Sequence, residues 1–131
     1  MVDRAGLEVA VPQLWAANAT AGSQWVTTFT LTNDDGSRMD ITGKSFEFEV
    51  RASASDTSPT PLAKVVSTGA TAQGYITVTA AASTVQVVLS PAATAGIPAT
   101  GPWHALWMDP GLADQTELLY GPFYCQAAPT P

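Results

Sequence analysis

The chain has one cysteine, Cys125, one histidine, His104, and five basic residues in 131. A single cysteine excludes an intramolecular disulfide, and a chain of this length can bury enough surface to need none. The basic residues are Arg4, Arg38, Lys44, Arg51 and Lys64, too few and too scattered for the cationic patch of a nucleic-acid binder. The net charge of −6 argues equally against an anionic membrane surface. Charged residues make up 12% of the chain, about half the usual share, and a charge-poor surface is one that can be buried against a partner. No run is long and apolar enough to span a bilayer. Glu8, Pro12 and Gln13 interrupt the apolar stretch from Leu7 to Trp15, so it is not read as a secretory leader.

Helical periodicity is also lacking; short alternating runs take its place. In Trp25–Thr32, Trp25, Phe29 and Leu31 share one face while Thr28, Thr30 and Thr32 share the other. Asn33-Asp34-Asp35-Gly36-Ser37 is a turn. Phe46–Arg51 alternates most sharply, with Phe46, Phe48 and Val50 inward and Glu47, Glu49 and Arg51 outward. Further strands are expected at 62–67, 75–79, 85–89, 103–108 and 117–125, the last with a bulge or kink at Gly121-Pro122. Residues 92–95 suit one helical turn. Trp103–Met108 is apolar on both faces, as a central strand would be. About seven short strands at roughly ten-residue spacing predict an all-β antiparallel β-sandwich.

Three parts are expected: a segment 1–21, a sandwich domain 22–126 and a Pro-rich tail 127–131. The first segment has two readings. Its apolar Leu7, Val9, Val11, Leu14 and Trp15, followed by a small-residue linker, suit an arm that anchors on a neighbour; the same residues also suit a first strand of the domain's own sheet.

Catalytic chemistry finds little support. A nucleophilic site would have to use His104, and no nucleophile elbow accompanies it. The acidic group Asn33, Asp34, Asp35 and Asp40 lacks the spacing of a calcium loop and reads as a turn. Glu47 and Glu49 resemble a carboxylate pair but share an outward face with Arg51. No catalytic residue, metal ligand or cofactor is expected. Of the four tryptophans, Trp25 and Trp107 are expected in the core, and Trp15 is the candidate interface anchor.

The order of motifs carries a resemblance. Asp35-Gly36 is followed by Asp40-Ile41-Thr42-Gly43, then a strand ending at Arg51, then Leu89-Ser90 with Thr94. Gly101-Pro102-Trp103, Trp107-Met108-Asp109 and Leu118-Leu119-Tyr120-Gly121-Pro122-Phe123 close the series. Over Gly22–Cys125 this resembles the N-terminal domain of upper-baseplate proteins of tailed bacteriophages. It departs from that pattern at Pro102 and by one residue inserted before Asp109. The resemblance implies an immunoglobulin-like sandwich and a structural or adaptor role in a virion, in the tail or baseplate. Its partners would be other virion proteins, including copies of itself in a symmetric assembly, without nucleic acid or membrane, and its location the particle assembled in the host cytoplasm. The alternatives are a head-decoration protein and a carbohydrate- or receptor-binding module that takes a host-surface glycan on exposed tryptophans.

Overall fold

The computed structural model describes the backbone of residues 7–10 and all of residues 12–127. The chain is all-β. Its strands are β1 (Leu7–Ala10), β2 (Gln13–Leu14), β3 (Ala17–Thr20), β4 (Trp25–Thr32), β5 (Phe46–Arg51), β6 (Ala63–Val66), β7 (Gly74–Thr79), β8 (Thr84–Leu89), β9 (Trp103–Met108) and β10 (Thr116–Gln126). One sheet runs β1-β4-β8-β7; the other runs β2-β10-β9-β5-β6, with β3 also on β10. The two sheets form a β-sandwich.

All seven strands expected from the alternating runs are present. Phe46, Phe48 and Val50 are buried, as the period-two pattern of β5 requires, and so are Phe29 and Leu31 of β4 and Val85, Val87 and Leu89 of β8. These side chains meet Leu106 of β9 and Leu118, Leu119 and Phe123 of β10 in one core. β9 lies between β5 and β10, the central position its two apolar faces imply. The helical turn is α1 (Pro91–Ala95), with Pro91 in its first turn and the Ser90 hydroxyl accepting from the Ala93 amide.

The N-terminal segment accounts for the three further strands. β1 pairs in parallel with β4 in one sheet. β2 and β3 pair in parallel with β10 in the other. The chain therefore changes sheets between Ala10 and Gln13, where Pro12 has no amide hydrogen for either ladder. Of the two readings of this segment, the structure shows the strand and not the arm, so a boundary at residue 21 does not separate it from the sandwich. Local patterning left both readings open because the partners of residues 13–20 lie far along the chain: Ala17 faces Phe123, and Leu14 faces Tyr120.

The expected bulge also lies elsewhere. The register of β10 on β9 shifts between Glu117 and Leu119, while Gly121 and Pro122 stay in register with His104 and Trp103. The extra residue, Leu118, lets two successive leucines point inward, and both are fully buried. Gly121 serves a different purpose. A Cβ there would stand 2.2 Å from the Trp15 carbonyl oxygen, so only glycine lets the N-terminal strand lie this close to β10.

Deleting residues 1–21 should leave a chain that does not fold cooperatively. It removes three strands and the Trp15 ring, and truncating one core tryptophan alone costs about 3 kcal/mol or more, a large part of a small domain's stability. A thermal melt of the truncated chain checks this: no cooperative transition is expected, whereas a melt near that of the full chain would show the segment to be dispensable.

Candidate functional site

The residues singled out for catalysis are engaged in structural roles. His104 points into the core with no exposed surface. Its ring stacks on Phe48 at 5.5 Å between centroids and meets Trp15 edge-on at 5.6 Å. Nε2 lies 2.7 Å from the Trp15 carbonyl oxygen. A carbonyl can only accept, so Nε2 carries the hydrogen, and Nδ1 is left without a hydrogen-bond partner. Burial disfavours the imidazolium and pushes the pKa down to about 4, against a smaller opposing effect of the Trp15 hydrogen bond. Cys125 is buried as well, its thiol donating to the Thr94 carbonyl at 3.3 Å and raised in pKa by burial.

The acidic turn is tied by its own backbone. Asp35 Oδ1 accepts from the Ser37 hydroxyl at 2.6 Å and its amide at 2.9 Å, which lowers the Asp35 pKa. Asp40 Oδ1 accepts from the Thr42 amide, with the same effect. Among the described residues no group of three or more His, Cys, Asp or Glu side chains is arranged to hold a metal ion. Glu47 and Glu49 are each held by a cation, Glu47 by Lys64 at 3.5 Å and Glu49 by Arg51 at 3.1 Å.

The four tryptophans divide differently from the sequence expectation. Trp25 is buried, as expected, and its indole N–H donates to the Asn18 carbonyl at 2.9 Å. Trp15 is half-buried and packs on the core, edge-on to Phe29 at 5.2 Å. Trp107, expected inside, is half-exposed on the outer face of the six-stranded sheet together with Trp103. The reason lies in β9. Both of its faces are apolar, so composition cannot say which one is internal, and the inward phase is the one that carries His104 and Leu106.

Of the other residues named for an interface, Leu14 is 61% exposed at the edge of that same outer face. Leu7 and Val9 lie on β1, and Val11 falls outside the described residues.

The two outer faces differ. On the four-stranded sheet the outward positions are mostly polar, Thr28, Thr30, Thr77 and Gln86, apart from Val26 and Tyr75 beside Val88. On the six-stranded sheet Trp103, Ala105 and Trp107 run along β9, with Tyr120 of β10 opposite Ala105 and stacked on Trp103 at 6.4 Å. Leu14 and the 43%-exposed Tyr124 extend the apolar surface. Between the two tryptophans lies a shallow concavity of about 200 Å³, also lined by Glu49, Arg51 and Glu117. Glu117 is half-buried, and its pKa is raised by burial and then by Glu49. This face is the candidate site. Alternating half-exposed aromatics on β9 were its sequence signal, but that signal needed the phase of the strand to be read.

Compared with known proteins, the chain matches no family model, and no curated protein matches its sequence.

The buried neutral histidine makes stability depend on pH. The folded pKa of about 4 lies below the ordinary 6.5, so between these values the unfolded chain binds a proton that the folded chain excludes. Stability is therefore full above pH 6.5 and falls as the pH drops toward 4, by about 3 kcal/mol from this residue. Denaturant titrations at pH 7 and 4.5 should show this loss in the wild type. His104→Gln, which keeps a donor for the Trp15 carbonyl but does not titrate there, should lose most of it; an unchanged pH dependence would mean that His104 is not buried neutral.

Proposed function

We propose that this chain is a structural or adaptor protein of a tailed-bacteriophage particle, placed in the tail or baseplate, that works by holding neighbouring proteins. One observation supports this most directly: an aromatic outer sheet face carrying Trp103, Trp107, Tyr120, Tyr124 and Leu14, in a molecule whose histidine and cysteine are both committed to the core. Aromatic side chains clustered on a surface are the usual anchors of protein interfaces. The scarcity of charge fits a surface that ends up covered. The assignment to a phage particle, with an immunoglobulin-like chain path, rests on the ordered motifs from Gly22 to Cys125. The same tryptophan pair is what the glycan-binding alternative would use.

The test is whether the chain enters particles through this face. Virions raised from the genome that carries this gene, purified and analysed by mass spectrometry, should contain the chain. The Trp103→Ser/Trp107→Ser variant should be absent from them while still melting cooperatively, since loss of interface aromatics costs about 2 kcal/mol or more each. A wild-type chain that stays in the soluble fraction would refute the virion reading. Particles that retain the double variant would move the contact to another face.

A further inference from the structure

We propose that the notch over Ala105 on the outer face of the six-stranded sheet seats a basic side chain, arginine in preference to lysine, carried by the protein that docks there. The inference rests on the docking role proposed for this face and specifies the chemistry of the partner. Its geometry comes from the sheet register. Trp103 and Trp107 stand two positions either side of Ala105 on one face of β9, with Cα atoms roughly 13 Å apart. Across the ladders, Ala105 faces Tyr120 on β10 and Glu49 on β5, while Trp107 faces Glu117. A methyl group is thus the floor, Trp103 and Trp107 stand at its two ends, Glu49 lies on the β5 side with its charge taken by Arg51 beside Trp103, and Glu117 lies at the corner next to Trp107.

The charge balance of this face is unequal. Lys64 holds Glu47, and Arg51 holds Glu49. Asp56 accepts backbone amides from Ser58 and Ala52. Glu117 alone among these carboxylates has neither a cation nor a hydrogen-bond donor on its side chain among the described residues, although it is half-buried. A half-buried, unpaired carboxylate beside an indole face is a place where an incoming cation gains from both the charge and the ring. A planar guanidinium can stack on Trp or Tyr while it bonds a carboxylate, which a compact ammonium does less well. The concavity of about 200 Å³ is smaller than the roughly 300–1,000 Å³ of sites that enclose small molecules, and it suits a single inserted side chain.

Isotope-labelled full-length chain can be titrated at low salt with N-acetylarginine amide, its neutral isostere N-acetylcitrulline amide, and methyl glucoside, following the tryptophan indole N–H signals. The Trp103 and Trp107 signals should move with the arginine compound, and those of Trp15 and Trp25 should not. The citrulline compound should bind at least tenfold more weakly. Glu117→Gln should weaken arginine binding at least fivefold at an unchanged melting temperature; should that variant melt lower, raised salt on the wild type gives the same reading by screening the charge. Equal binding of citrulline, binding indifferent to both Glu117→Gln and salt, or a saturable response to the glucoside without one to arginine would each overturn the proposal, the last in favour of a glycan site. Entry into particles that persists without arginine binding removes only this inference. Arginine binding by a chain that never enters particles removes only the virion reading.

Discussion

The backbone carbonyl of Trp15 is held from two sides, and much of the molecule is arranged around it. The Nε2–H of buried His104 donates to it at 2.7 Å, and the bare Cα of Gly121 lets it lie against β10. The Trp15 amide donates to the Tyr120 carbonyl at 2.9 Å on the same strand. These contacts fix the N-terminal segment where it has just crossed from one sheet to the other. They also bring the Trp15 ring onto Trp25 and Phe29, at one side of an aromatic cluster that runs through His104 and Phe48 to Phe123. A histidine in the core is costly when charged, and in this core its neutral form is matched to an acceptor that the crossing strand supplies.

This arrangement divides the aromatic residues between two tasks. Trp15 and Trp25 close the core from the N-terminal side, so the inner face of β9 needs only His104 and Leu106. The outer face of β9 is then free to present Trp103 and Trp107 beside Tyr120. The charges near them are mostly neutralised within the sheet, by Glu49–Arg51 and Glu47–Lys64. What remains is a largely apolar platform on which, among the described residues, Glu117 is the uncompensated carboxylate. Under the docking role proposed for this face, that residual charge is what would select a basic partner.

Much of the fold is legible in the sequence because half-buried strands write their environment into alternate positions. Phe46 to Arg51 shows this best, since every inward residue is apolar and every outward one charged. The site was less legible for three physical reasons. A strand apolar on both faces, such as β9, has no visible phase. The bulge at Leu118 puts adjacent leucines on the same side, which breaks alternation without a glycine or proline to mark it. The parallel pairing of residues 13–20 with β10 joins segments about a hundred residues apart, and no local pattern encodes that contact. Gly121-Pro122 did mark something: its glycine admits the close approach of another strand, while the register shift lies at Leu118.

The Trp15 carbonyl can organise the core only if the N-terminal segment is an integral part of the sandwich, and native-state hydrogen exchange at the Trp15 amide tests this directly. That amide is bonded to the Tyr120 carbonyl, so it should exchange only through global unfolding, with the same opening free energy as the amides of Phe29 and Phe48 in the central strands. Exchange orders of magnitude faster than those core amides would show that the segment detaches while the sandwich stays folded, and would contradict the organising role of the Trp15 carbonyl.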